Sequence, residues 1–383
     1  MQYFYKNYIE RRANEDDREK PMRVLQILPS VCRGDTISND ALEIYGELSD
    51  HRIRTHIYAE HIGPGISSRR VSRMEELPVL KKEDVIIYHL STESGMYEHI
   101  QEIRKNYGCN IIFRYHNITP PDYFEPFSKD MAQRCYMGLE EARKIREIPT
   151  LVLTVSDYDR AQLRKIGYSC PIMILAPLVP LAEYTIDPAE EVMNRYPLNE
   201  YINLLSVGQI VPHKRIERLM DIYDSYRRTV DDKARLFLVG STMEVPEYYE
   251  YLENYRRKLG YHEDEIIFTG HVAFNEMIAY YRIADVFLCM SEAEGFGMPL
   301  VEAMYYQVPV LAYEAGAVPE TLGGSGVLLP TGQPGDVADV IRTIIKNPRS
   351  KGQILAGQQR RLETFIESSP RKELLKVIES MRR

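Results

Sequence analysis

The chain has 383 residues, 44 % of them hydrophobic and 27 % charged, with 48 Lys and Arg against 56 Asp and Glu for a formal charge of −8. That describes a soluble globular protein of two domains with a sizeable core, and the acidic balance argues against generic nucleic-acid binding. Nowhere do 18 or more apolar residues run together and the N-terminus lacks the apolar core of a signal peptide, so a cytoplasmic location is expected, at most peripheral at the inner face of the cell membrane. The five cysteines form no Cys-x-x-Cys pair and the nine histidines no His-Glu-x-x-His string, which leaves free thiols and no metal-site spacing.

Residues 1–21 are read as an N-terminal extension. Tyr3, Phe4, Tyr5, Tyr8 and Ile9 precede a charged stretch, a pattern that either packs on the parent domain or rests on a membrane interface or a partner subunit. A first domain follows over 22–180. Arg23 to Leu28 is a buried-strand pattern, then comes a loop with Gly34 and a helical run from Asp40, whose N-terminus can face a ligand. As a plain strand-to-helix turn, the same stretch would use Asn39 or Asp40 as the cap. No Gly-x-Gly-x-x-Gly appears, which disfavours a dinucleotide-binding dehydrogenase.

Further strands are expected at 54–59, 85–89, 110–115, 151–155 and 172–176, with helical patterns between them. Such alternation predicts a mostly parallel, doubly wound sheet. The stretches 67–73 and 134–146 are basic and are read as solvated faces, with anionic lipid as the alternative partner. His116 and Asn117 leave the end of a strand just before Pro120 and Pro121, where open α/β sheets bind ligands. Asp157-Tyr-Asp159 is read as helix-start acids that cap and complement the dipole, not as a metal pair.

Pro177, Pro180, Pro188 and Pro197 mark an interdomain linker at 181–200. The second domain, 201–365, opens with the strand 202–207 and the loop Gly208-Gln-Ile-Val-Pro-His-Lys-Arg215. Strands at 235–239, 266–268, 308–312 and 326–329 continue it, each leading into a loop and a helix. Its most informative stretch is 284–304: an apolar strand to Met290, the loop Gly295-Phe296-Gly297, and a helix with Pro299 in its first turn. Unpaired amides at that helix start suit a phosphate, and Glu294 and Glu302, eight positions apart, suit the hydroxyls of flanking sugars.

Glu294-Gly-Phe-Gly-Met-Pro-Leu-Val-Glu302 resembles the Glu-x7-Glu signature of family 4 glycosyltransferases, which are retaining enzymes of the GT-B fold that use nucleotide sugars. The likeness covers nearly all of 22–383 and implies two Rossmann-like domains facing across a cleft, with a terminal helix at 366–383 crossing back to the first. It implies donor contacts at Gly34, Gln209, Lys214, Arg215, Gly240, Ser241, Val272, Glu294, Gly295, Phe296, Gly297, Met298, Leu300 and Glu302. The amides from Gly295 to Leu300 would take the pyrophosphate. Catalytic roles fall to His116, Lys214 and Glu294, and acceptor contacts to Asp35, Asn39 and Asn117. Gln209 stands where the family has Arg, replacing a charged fork by a neutral amide, for which Arg215 or His213 would compensate.

The implied activity is metal-independent transfer of a hexose to a hydroxyl of a glycan or polyprenyl-diphosphate-linked glycan, through front-face attack and with no cofactor. Tyr115-His-Asn-Ile-Thr-Pro-Pro121 is similar to the corresponding segment of polysaccharide-assembly enzymes, some of them mannosyltransferases. The donor therefore leans to GDP-mannose over a UDP-hexose. The alternatives are a non-catalytic nucleotide-sugar-binding subunit, a sugar-nucleotide epimerase of the same fold, and a GT-B phosphorylase, for which the chain is short.

Overall fold

The structure is a computed structural model that describes residues 22–32, 34–91, 94–180, 183–198, 200–367 and 370–382. The aromatic arm at 1–21 lies outside them. The first lobe is a seven-stranded, all-parallel sheet in the order β3-β2-β1-β4-β5-β6-β7. Its strands are β1 (Arg23–Val31), β2 (Arg54–Ile62), β3 (Val71–Arg73), β4 (Val85–Leu90), β5 (Asn110–Tyr115), β6 (Leu151–Thr154) and β7 (Ile172–Ile174). Between them run α1 (Thr36–Asp50), α2 (Tyr97–Tyr107), α3 (Lys129–Lys144) and α4 (Asp157–Ile166).

The strands β4 and β5 read as continuous apolar runs because helices cover both faces of the sheet, leaving no solvent side to alternate toward. Three residues break that rule at the sheet's centre. Gln26, His89 and Arg114 are fully buried on the adjacent strands β1, β4 and β5. Strand β3 was not expected. Its three residues lie within the stretch read as a basic surface, too short for a period-2 pattern and paired on one side only, at the sheet edge.

The second lobe has six parallel strands, as expected, in the order β10-β9-β8-β11-β12-β13. They are β8 (Ile202–Val207), β9 (Ala234–Val239), β10 (Ile266–Gly270), β11 (Val286–Cys289), β12 (Val310–Tyr313) and β13 (Val327–Leu329). Its helices are α5 (Glu190–Arg195), α6 (Ile216–Thr229), α7 (Pro246–Leu259), α8 (Phe274–Ile283), α9 (Met298–Tyr305), α10 (Val318–Leu322), α11 (Pro334–Lys346) and α12 (Pro348–Glu367). In each sheet the order reverses beside the first strand, between β1 and β4 and between β8 and β11. Those two points, at the strands' carboxyl ends, are where such sheets open a crevice for ligands.

The proline-rich stretch is packed rather than free. Tyr184, Val192 and Tyr196 are buried with Phe237, Tyr281 and Tyr306 of the second lobe. The last helix, α13 (Pro370–Ser380), returns to the first lobe. Leu374, Val377 and Ile378 join Ile44 and Leu48 of α1 over β1 and β4, and Arg371 bonds Glu43 and Glu47 at 2.5 and 3.1 Å. The lobes also meet through Phe127 against Tyr248 and Phe124 against His213, with ring centroids 4.9 and 5.9 Å apart. Among the described residues no helix is long and apolar enough to cross a membrane.

Candidate active site

The crevice of the second lobe is walled by the loops after β8, β9 and β11. Gly208 and Gly240 hold φ of +143° and +151°, and a Cβ at Gly240 would lie 2.0 Å from the Gly208 carbonyl oxygen, so only glycine lets these loops touch. Ile210 N–H then donates to the Ser241 carbonyl at 2.8 Å, which brings Gln209, Gly240 and Ser241 together.

Lys214 ends a short 3-10 turn after Pro212 and pairs directly with the Glu294 carboxylate. Burial pulls the lysine's pKa down, but the Glu294 charge outweighs it and the net shift is upward, so Lys214 stays cationic. Glu294 itself is fixed by its backbone. Ala317 N–H donates to its carbonyl at 2.9 Å, and a Cβ on Gly316, at φ +56°, would lie 2.8 Å from its N and O.

Helix α9 starts behind this pair. Gly297, at φ +83°, is its N-cap with no side-chain cap, and the amides of Phe296, Gly297 and Met298 carry no hydrogen bond among the described residues. This is an anion-seeking helix start beside a lysine. Two residues expected there serve otherwise. Leu300 N–H already donates to the Gly297 carbonyl at 2.9 Å, closing the helix's first turn. The Phe296 ring is buried against Phe365, with centroids 5.6 Å apart, and its carbonyl accepts from the Thr321 hydroxyl at 2.5 Å, which leaves only its amide for a ligand.

Glu302, one turn along α9, accepts from the Tyr281 hydroxyl at 2.7 Å and, weakly, from Tyr184 at 3.5 Å. Burial raises its pKa while the two phenols oppose that. The cavity among Ser206, Lys214, Cys289, Glu294, Gly297 and Leu300 measures about 20 Å³, room for one water.

Neither Arg215 nor His213 supplies the charge that the neutral Gln209 lacks. Gln209 is exposed and donates to Glu244 at 3.4 Å. Arg215, in the left-handed conformation at φ +53°, faces Glu217 and Glu292 at 3.2 and 3.6 Å. His213 is held neutral by burial and by the adjacent Lys214 charge. Among these, Lys214 lines the cavity together with Gly297 at the helix start.

From the first lobe, Gly34 faces the loop of Val272, since a Cβ on it would meet the His271 ring at 3.4 Å. Asp35 is the cap of α1, accepting from Ser38 N and Oγ at 2.8 and 2.7 Å, so neither Asn39 nor Asp40 caps that helix. Asp40 is buried instead, bonded by Arg114 Nε and Nη2 at 2.8 and 3.2 Å. Burial pushes its carboxyl up, but the Arg114 guanidinium outweighs that and holds it below the usual carboxylate range.

His116 emerges from β5 with its side chain 6 % exposed, and its Nε2 lies 2.9 Å from His89 Nδ1. His89 Nε2 in turn lies 2.9 Å from Gln26 Oε1. Burial, opposed by Asp40 and assisted by Arg114, lowers His116 to about 3, so it is neutral. Ligand atoms of Asp40, His89 and His116 all lie within 4.8 Å of one another. Their chemistry does not suit a cation, because the carboxylate already serves a guanidinium and the imidazoles serve each other.

Asn117 follows at φ +58° with its Oδ1 buried and unpartnered among the described residues. Gly295 packs directly on it; a Cβ there would lie 2.7 Å from Asn117 Cβ and 3.3 Å from Asp159 Oδ2. Asp159 is the residue sequence reasoning missed. Ser156 caps α4, and Asp157 stays at the surface, where its N–H donates to Glu320 at 2.7 Å. Asp159 is fully buried with both oxygens unpartnered among the described residues, and burial, opposed by Arg114 and reinforced by Glu320, pushes its carboxyl up to about 8.

Residues 189–361 match the family described as glycosyl transferases group 1. A GDP-mannose-dependent alpha-(1-6)-phosphatidylinositol monomannoside mannosyltransferase of Mycobacterium tuberculosis is 30 % identical over 57 % of this chain and 58 % of its own length. The O-antigen chain mannosyltransferase B of Escherichia coli is 27 % identical over 61 % of this chain and 60 % of its own. The chain thus aligns with little more than half the length of these curated relatives. Among solved structures, Anabaena HepE in complex with UDP and glucose superposes over 94 % of this chain and 100 % of its own with a TM-score of 0.73, at 17 % identity. The chain accordingly has the GT-B fold, and the stretch of its second lobe that matches the glycosyl transferases group 1 model includes Lys214, Glu294 and Glu302.

Proposed function

We propose that this protein is a retaining hexosyltransferase that moves a sugar from a nucleoside-diphosphate donor, GDP-mannose foremost, to a hydroxyl of a glycan or lipid-linked glycan. The carrying observation is the Lys214–Glu294 pair set against the unbonded amides that open α9, at the point where the second sheet reverses its strand order. A diphosphate entering there takes Lys214 and the amides of Phe296 to Met298, and it displaces Glu294. The freed carboxylate then accepts hydrogen bonds from donor-sugar hydroxyls, and Glu302, held by Tyr281, accepts from the ribose. Charge that develops on the leaving diphosphate is met by the lysine and the helix start, already oriented. Front-face attack, with a diphosphate oxygen taking the acceptor proton, retains the anomeric configuration.

Support for a mannose donor comes from the relatives, both mannosyltransferases and one of them GDP-mannose-dependent, whereas the structural neighbour HepE holds UDP. One observation favours a non-catalytic nucleotide-sugar-binding subunit: the neutral Gln209 beside Glu244 leaves Lys214 as the cation aimed at the leaving group. A thermal-shift panel of GDP, UDP, ADP and their sugars, run without added metal on wild type and Glu302→Ala, tests the donor site. A base-selective rise lost in the variant supports it. No rise at millimolar nucleotide refutes it, and nucleotide binding without sugar transfer to any glycan acceptor favours the subunit.

A further inference from the structure

Resting on that transferase reading, we propose that Gln26 and His89 are positioning residues that hold His116 in its Nε2–H tautomer, so that the bare Nδ1 of His116 accepts a hydrogen bond from a donor-sugar hydroxyl. The chain of bonds fixes each proton in turn. Gln26 Nε2 donates to the Ala41 carbonyl of α1 at 3.0 Å, and the reversed amide would set its oxygen against that carbonyl. Gln26 Oε1 therefore faces His89, and His89 Nε2 must be the donor of their 2.9 Å bond. A neutral His89 then has a bare Nδ1, which at 2.9 Å can only accept from His116 Nε2–H. The tautomer of His116 follows from a backbone carbonyl on α1.

The surroundings keep both rings neutral. Asp40 Oδ2 lies 4.0 Å from His116 Nε2, beyond hydrogen-bond reach, and its two oxygens serve Arg114 and the Leu178 amide. Arg114, on the strand next to His89, adds a positive charge that opposes a second proton on either ring. Among the described residues Nδ1 of His116 takes no hydrogen bond, and the next residue, Asn117, touches Gly295 of the other lobe. Three strands and one helix thus orient a single acceptor at the mouth of the crevice. Burying Gln26 and His89 inside a largely apolar sheet serves packing poorly, as a leucine at either site would need no partner.

The test is a long-range 15N spectrum of the full chain labelled at histidine, with His116 assigned by the signal lost in His116→Gln. A neutral His116 protonated at Nε2 at pH 7 is expected; Nδ1–H or an imidazolium overturns the relay. In Gln26→Leu the His116 nitrogens should move toward averaged tautomer shifts. In the same variant the affinity gained by GDP-mannose over GDP should fall about tenfold, the loss of one oriented hydrogen bond, with GDP binding unchanged. An unchanged gain overturns the proposal. If no nucleoside diphosphate binds wild type, the transferase reading fails instead, and the spectrum, which needs no ligand, still decides the relay.

Discussion

Asp159→Asn should make the protein more stable, and only at high pH. The wild-type carboxyl is buried with no partner on either oxygen among the described residues, which pushes its pKa up to about 8 from the ordinary 3.8. The folded state holds this proton more tightly than the unfolded chain does. Stability therefore falls as the pH rises from about 4 to about 8, and the full penalty is present above that. A gap of about four pH units at about 1.4 kcal/mol each sets a ceiling of ~6 kcal/mol, and water admitted between the lobes would lower it. Asparagine keeps the shape and stays neutral, so the variant should match wild type below about pH 4, draw ahead as the pH rises, and exceed it by several kcal/mol near pH 9. The assay is Tm against pH for both proteins, where a divergence of roughly 5–10 °C is expected. Other titrating groups are common to both and cancel in the difference. Parallel curves from pH 5 to 9 would show that Asp159 is solvated or paired, and the burial argument would fail.

Gly295→Ala should drive a methyl into Asn117, 2.7 Å from its Cβ, wedging the lobes apart. Transfer should fall about a hundredfold with little change in nucleotide affinity, because alignment across the crevice is what is lost; equal kcat in the two proteins would refute this. Lys214→Met removes the cation facing the diphosphate and should cut kcat by about 10²–10³. A change under about threefold would move the leaving-group role elsewhere. Tyr281→Phe deletes the 2.7 Å bond that orients Glu302. Nucleotide affinity measured by calorimetry should drop several-fold, corresponding to about 1 kcal/mol, and an unchanged affinity would show that Glu302 does not hold the ribose.

The chain's periodicity by itself determined the alternation of strands and helices, and Glu294, Gly297, Pro299 and Glu302 gave the crevice of the second lobe, because backbone geometry at a helix start is local. Lys214 was singled out only through the family resemblance, and its pairing with Glu294 needed the tertiary structure, which brings together two loops 80 positions apart. Tertiary structure alone decided which groups are already partnered. Leu300 N–H closes its own helix turn, Phe296 belongs to the core, and Arg215 faces two glutamates, and nothing in a residue's neighbours along the chain records such contacts. It also decided Asp159, which reads as a helix-start acid in sequence and becomes a buried carboxyl only because Gly295, 136 positions on, closes over it. Gln26, His89 and Arg114 left a trace as polar letters inside apolar strands. Their meaning required the register that lines up β1, β4 and β5, since a hydrogen-bonded relay exists only once three separate strands are adjacent.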